Sequence, residues 1–185
     1  MTLDADFRST ATHTLLQHMG RIEVCVSKLS DDQIWARGHE TENAVGNLCL
    51  HLAGNVRQWI ISSLGGELDR RTRDAEFEAR SGDSGSELTA RLRQTIDASV
   101  AIIESLTPDQ LATRYTIQNY EVSGLGVVFH VVEHFAQHTA QIIMLTKMLT
   151  GTDLGFYRHL SSRISTQEGV PPVTHSSGTG PAGVP

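Results

Sequence analysis

The sequence predicts an all-α four-helix bundle. Three observations carry that expectation. Four long segments place apolar residues at three- and four-residue spacing, strand-like alternation is almost absent, and hydrophobic residues make up 39% of the chain against 19% charged. At 185 residues such a composition can fill one core without disulfide or metal staples. One domain is therefore expected over residues 1–165, followed by a loosely ordered tail over 166–185, where Gly, Pro, Ser and Thr accumulate.

The first helix is expected from Asp4 to about Leu29, because Phe7, Ala11, Leu15, His18, Ile22, Cys25, Val26 and Leu29 fall on one stripe. Ser30-Asp31-Asp32 offers a cap to a short turn with Ile34 and Trp35, and the polar run Arg37 to Asn43 reads as a loop. A second helix should begin near Asn43 or Asn47 and pass through Leu48, Leu52, Val56, Trp59 and Ile60 to Gly65-Gly66, which stops it. The stretch Glu67 to Asp83 is dense in charge and reads as a solvated connection, long enough to suggest that it does something. Ser86-Glu87 starts a third helix, striped by Leu88, Leu92, Ile96, Val100, Ile103 and Leu106. Thr107-Pro108-Asp109 fits a cap with proline at the first helical position, opening one further short turn. Tyr115 to Val122 contains β-favouring residues in broken alternation, and a loop is the favoured reading. After Gly124 and Gly126 a fourth helix runs to Thr150 and is closed by Gly151, with Val128, Val131, Phe135, His138, Ile142, Leu145 and Leu149 forming a heptad-like seam. Leu154, Phe156, Tyr157 and Leu160 suit a final short element.

Lys and Arg number 15 against 21 Asp and Glu, a net charge of −6 without a long basic run, which argues against a nucleic-acid partner. No stretch reaches the roughly 18 consecutive apolar residues of a membrane span, and MTLDADFRST lacks an apolar signal core. No membrane partner and a cytoplasmic location are expected. Cys25 and Cys49, each inside an apolar stretch, read as small buried hydrophobes in a reducing compartment.

The chain carries nine histidines, and their placement points to chemistry. His130, His134 and His138 follow one another at four-residue steps, so neighbouring rings lie about 40° apart around the helix and about 6 Å along it. Two such neighbours can hold one ion. His138 takes a seam position that otherwise suits Leu or Ile, and His134 lies one turn below on the same flank. His51 sits between Leu48 and Leu52 on the apolar side of NLCLHLAGN, where a charged imidazolium would be costly. A neutral core histidine bonded to a backbone carbonyl would also satisfy each position taken singly. Three neutral imidazoles on facing helices would instead leave coordination positions open for water or substrate, as catalytic zinc sites do. His130, one turn below His134, reads as a half-exposed flank residue able to support the ligands from behind. Asn55, four residues after His51, and Gln141 are the other candidate supports. Trp59 reads as a core anchor, Glu133 as a residue orienting a neighbouring helix, and His13, His18, His39, His159 and His175 carry no motif.

Taken together, GNLCLHLAGNVRQWI, the arginine-rich DRRTRDAEF and HVVEHFAQHTAQIIML resemble the DinB/YfiT-like superfamily, in a branch catalogued as of unknown function, over roughly residues 10–150. The resemblance implies a bundle of up-down-down-up order, usually a homodimer, that holds a divalent metal with one histidine on the second helix and an i, i+4 pair on the last. Carried onto this chain, the implied ligands are His51, His134 and His138. Many relatives read His-Arg-Gly-Gln at the last ligand, where this chain has Thr139-Ala140-Gln141 and keeps the glutamine.

A divalent ion on three imidazoles can bring the pKa of bound water toward ~7 or hold a thiol as thiolate. The resemblance favours the thiol, since characterised superfamily members include transferases that add bacillithiol or mycothiol to electrophiles, and an isomerase that uses such a thiol. The expected function is a metal-dependent transfer of a low-molecular-weight thiol to small electrophiles, with no separate protein nucleophile. Zinc or nickel is the expected ion, with iron, cobalt, manganese or copper also accepted by imidazole. The alternative is a hydrolase using metal-bound hydroxide, although no Glu or Asp stands at ligand-like spacing beside His51 or His138 to act as base. A third reading is a non-enzymatic, stress-linked metal-binding protein. Arg70, Arg71, Arg73 and Arg158 can meet the carboxylates of an anionic thiol, but solvated surface arginine is the plainer reading.

Overall fold

Helix α1, Leu3–Val26, turns Leu15 and Ile22 fully inward as expected, with Met19 rather than His18 filling the step between them. The computed structural model describes residues 2–158 and 160. Ser30 caps the short α2, Asp31–Ile34, through a reciprocal box with Gln33. Helix α3, Val45–Val56, continues as a π-helix over Arg57–Ser62, where Ser63 N–H reaches Gln58 O at 3.2 Å and Gly65 N–H reaches Ile60 O at 2.9 Å, five residues back. The wider turn lets Trp59, Ile60 and Ile61 all be buried in succession. Helix α4 spans Arg73–Glu78, and α5 spans Gly85–Ser105 behind a Ser84–Glu87 capping box. Pro108 opens α6, Pro108–Ala112, under the Thr107 cap, and α7 spans Gly124–Thr150. Gly151 ends α7 with φ 64°, a left-handed turn that suits glycine.

Helix α1 packs on α5 and α7, and α3 packs on the same two, so four long helices close around one core. Phe135, Leu52, Leu92, Ile96 and Ile142 lie at its centre, all fully buried. The predicted helices are present with ends displaced by a few residues. No helix among the described residues is long and apolar enough to cross a membrane.

Two expectations fail. The segment read as a loop is a β-hairpin, β1 Arg114–Ile117 against β2 Tyr120–Ser123, with Arg114 opposite Ser123 and Ile117 opposite Tyr120. Its strands are four residues each and only Ile117 is buried, so no alternating pattern develops in the sequence. The turn is Gln118-Asn119, with φ 51° and 68°, in place of the usual Asn-Gly. The charged connection 67–83 is likewise not wholly solvated, for it contains α4 and buries Glu76. Asn47, itself fully buried, holds this segment down, its Nδ2 donating to Glu76 O at 2.8 Å and Ala79 O at 2.9 Å.

Residues up to Leu154 group into one unit and those from Gly155 onward into a second, whose described part is a turn with Arg158 N–H bonded to Gly155 O at 3.3 Å. The expected boundary at 165/166, His159 and His175 lie outside the described residues.

Candidate metal centre and its cavity

Helix α3 delivers His51, and α7 delivers His134 and His138 one turn apart. One ring nitrogen from each lies within 4.8 Å of the others. His51 Nε2 faces His134 Nε2 at 2.9 Å, and the ring centroids are 4.5–5.0 Å apart. His51 is 4% exposed, and the other two are half-buried.

Each outer nitrogen with a partner is turned away from this meeting point. Glu76 Oε2 lies 3.0 Å from His51 Nδ1, so a neutral His51 keeps its proton on Nδ1 and presents the Nε2 lone pair inward. Gln141 Oε1 lies 2.7 Å from His138 Nδ1 and fixes that ring in the same sense. Burial, then the proximity of His138, His51, His130 and Arg71, lowers the His134 pKa to about 3. Burial also lowers that of His138, against the opposing effect of its hydrogen bond to Gln141 Oε1. These two rings are uncharged at neutral pH. Two imidazole nitrogens facing each other at 2.9 Å either share one proton or turn both lone pairs to one cation, and the donor set fits a divalent metal.

Sequence reasoning met Glu76 only as part of DRRTRDAEF and gave it no role at the site. Burial raises its pKa, but hydrogen bonds and charge from Arg71 and His51 outweigh burial and hold it below the ordinary carboxylate value. Arg71 grips it with two nitrogens, Nε to Oε1 at 2.8 Å and an Nη to Oε2 at 2.9 Å. Arg71 is therefore no solvated surface residue, since its side chain is 4% exposed. Its other Nη donates to Gln58 Oε1 at 2.9 Å, and Gln118 at the hairpin tip donates to the same oxygen at 2.6 Å. A chain of polar contacts thus runs from the hairpin through Gln58, Arg71 and Glu76 to His51. Gly54 makes room for it, because a Cβ there would overlap Glu76 Oε1. No Glu or Asp stands at ligand-like spacing beside His51 in the sequence, yet the fold brings it a carboxylate from 25 residues downstream.

A cavity of about 390 Å³ opens onto His51 and His134. Asn55 from α3, Trp59 from its π-helical continuation, His130 from α7 and Tyr120 from the hairpin border it, together with Arg71 and Arg73. Among the described residues none that lines it is acidic. His130 stacks on Trp59 with centroids 3.9 Å apart and lies 5.5 Å from the His134 ring; burial lowers its pKa as well. All three candidate supports therefore lie at the site, Asn55 and His130 in the cavity wall and Gln141 on His138. Trp59 is buried as expected, whereas Glu133 is exposed and bonds Gln137 on its own helix. His13 is exposed, His18 half-buried on α1, and His39 bonds Thr41 in a loop.

The model of the family described as "Protein of unknown function (DUF1572)" matches residues 3–161. The chain belongs to that family. Its fold is that of DinB-like proteins. A DinB-like protein from Bacillus subtilis, YjoA, is 20% identical with a TM-score of 0.62 over 80% of this chain and 96% of its own. A conserved protein from Enterococcus faecalis is 12% identical, with a TM-score of 0.64 over 82% of this chain and 99% of its own. A DinB-like protein from Bacillus cereus is 16% identical, with a TM-score of 0.59 over 73% and 90%. None of the curated proteins compared matches the chain.

Proposed function

We propose that this protein is a metal-dependent transferase that adds a low-molecular-weight thiol to small electrophiles. The observation that carries this reading is the cavity wall, which presents imidazole, indole, amide and guanidinium groups to the histidines and no carboxylate. The hydroxide mechanism weighed against it uses a carboxylate as the base for the attacking water. The nearest acid, Glu76, is committed to Arg71 and to the outer nitrogen of His51. A thiol, with an ordinary pKa of about 8.5, needs much less help.

His51, His134 and His138 would hold the ion, which supplies the charge that keeps the thiol ionised when it is bound. Zinc or nickel suits the imidazole set best, ahead of iron, cobalt, manganese or copper. Glu76 and Gln141 orient two of the rings, and the cavity limits the water around the thiol sulfur. Sulfur then attacks the electrophilic carbon, an S–C bond forms, the leaving group departs with the electron pair of its bond, and the thiol proton passes to solvent. Exposed Phe129, Met144 and Met148 on α7 support the homodimer that the DinB-like resemblance implies. Two free, buried cysteines suit a cytoplasmic setting.

The test is conjugation of monochlorobimane with bacillithiol or mycothiol, followed by fluorescence with zinc- or nickel-loaded protein. The expected result is a rate that saturates in thiol, is abolished by a chelator and is lost in His51→Ala and His134→Ala. Rates equal to the protein-free background with both thiols and both metals overturn the reading. Metal-dependent ester hydrolysis without thiol would replace it with the hydrolase.

A further inference from the structure

Two side chains in the wall of this cavity carry polar atoms that the fold leaves without partners. Asn55 is 4% and Trp59 3% exposed, and neither Asn55 Oδ1 nor Trp59 Nε1 has a hydrogen-bond partner among the described residues. Each such orphan costs about 1–3 kcal/mol, and an orphan beside a cavity asks what would satisfy it. The two atoms differ in sense, because an indole N–H can only donate and an amide oxygen can only accept. They stand four residues apart on one continuous helix, where α3 passes into its π-helical end, a local geometry that often marks a ligand site.

A single group that satisfies both must accept from the indole N–H and donate to the amide oxygen, as a hydroxyl does at one atom and a secondary amide does at two. A carboxylate or phosphate only accepts and would set negative charge against Asn55 Oδ1, whereas an ammonium only donates and would face the Trp59 N–H. A secondary amide matches, its C=O taking the Trp59 proton and its N–H meeting Asn55 Oδ1. A third group comes from Arg73, whose guanidinium lies 4.8 Å over the Phe77 ring, borders the same cavity and has no ion pair among the described residues. Arg71 is not available for this purpose, being bound to Glu76 and Gln58.

We propose that the cavity binds a molecule in which a secondary amide lies next to a carboxylate, as in an N-acylated amino acid. The amide is read by Trp59 and Asn55 and the carboxylate by Arg73. The volume of about 390 Å³ suits a ligand of this size. Reaching both atoms requires lining side chains to change rotamer, as interface side chains commonly do on binding. The role of this molecule, a thiol carrier presented to His51 and His134, rests on the transferase reading; its recognition rests on the cavity alone.

The experiment follows the Trp59 indole N–H signal by NMR in isotope-labelled full-length protein during titration with N-acetylglycine. That signal is assigned by its loss in Trp59→Phe, and Trp35, whose Nε1–H donates to Asp83 O at 3.1 Å, serves as the control for an intact fold. The expected result is a saturable downfield shift of Trp59 with Trp35 unmoved. Glycine, which lacks the amide, and N-acetylglycine methyl ester, which lacks the carboxylate, should each bind at least about tenfold more weakly, the scale of one lost buried hydrogen bond. Asn55→Leu and Arg73→Ala should weaken N-acetylglycine by at least the same factor. An unmoved Trp59 signal, or equal binding of glycine or the ester, overturns the proposal. Because the probe has no thiol, this outcome is independent of bimane conjugation, so either reading can fail while the other stands.

Discussion

Replacing Glu76 with alanine takes the acceptor from His51 Nδ1 and leaves the Arg71 guanidinium, on a side chain 4% exposed, without its counter-charge. Removing one partner of a buried ion pair costs about 3–5 kcal/mol, a large share of the roughly 5–15 kcal/mol that keeps a domain folded. Losing the outer hydrogen bond of a metal-binding histidine weakens metal binding about 10–100-fold, or about 1.4–2.7 kcal/mol. The double variant Arg71→Met with Glu76→Leu separates the two effects by placing apolar volume where both charges stood. Exchanging a whole buried pair in this way is often neutral or stabilising. The double variant should therefore recover most of the stability lost in Glu76→Ala and none of the metal affinity, since His51 Nδ1 still meets no acceptor. Urea unfolding of the metal-free proteins reads the first quantity, and competition for zinc against a chromophoric chelator reads the second. Zinc affinity of Glu76→Ala within about twofold of the parent would refute the positioning role. A double variant that regains affinity along with stability would show that Glu76 acts only by holding the fold together.

The remaining predictions use the same site and its surroundings. Gly54→Ala should lower both stability and zinc affinity, because the new methyl displaces Glu76, while Gly20→Ala, with nothing within 4 Å in the middle of α1, should stabilise by about 0.5–1 kcal/mol; unfolding curves for the pair check this, and a neutral Gly54→Ala would contradict it. The metal-free protein should lose stability as pH falls below about 6.5, because His134, His138 and His130 have folded pKa values below the ordinary one and take up protons more readily when unfolded. Glu76, whose folded value lies below 4.5, adds to the loss in the same direction once the pH drops beneath that value; a urea midpoint unchanged between pH of about 7 and about 5 would contradict the histidine part. Burial raises the pKa of both thiols, that of Cys49 to about 12, so a chromogenic disulfide reagent should leave the native protein unlabelled and react only on unfolding.

The long helices were legible because burial writes itself into spacing, as in Leu15, Ile22 and Cys25 on α1 or Val131, Phe135 and Ile142 on α7, although on α1 the inward position next to Leu15 is Met19 and not the expected His18. Caps were legible for a similar reason, since Ser30, Thr107 and Gly151 act on backbone groups within a few residues. His51 and His138 stand out because each takes a place on an apolar stripe, and the four-residue step adds His134, but the choice of these three as ligands came from the resemblance to the DinB/YfiT-like superfamily. The roles of Glu76 and Arg71 were not legible, although both fall in the DRRTRDAEF stretch that carries the resemblance, because a charged stretch reads as a solvated linker and their burial depends on Asn47 pinning α4 from a distance in sequence. A buried His51 with no carboxylate on its own helix was the available clue, and Gly54 one turn later was the second. The hairpin was hidden because its turn lacks the Asn-Gly signature and its strands bury only Ile117.

The central claim is that His51, His134 and His138 hold one divalent ion. It is tested most directly by elemental analysis of protein purified without a chelator or a metal-affinity tag, beside a folded variant in which all three histidines are alanine. The account predicts close to one equivalent of a divalent transition metal in the parent and none in the variant. Trace metal in both, with no uptake by the parent when zinc or nickel is added, would contradict it.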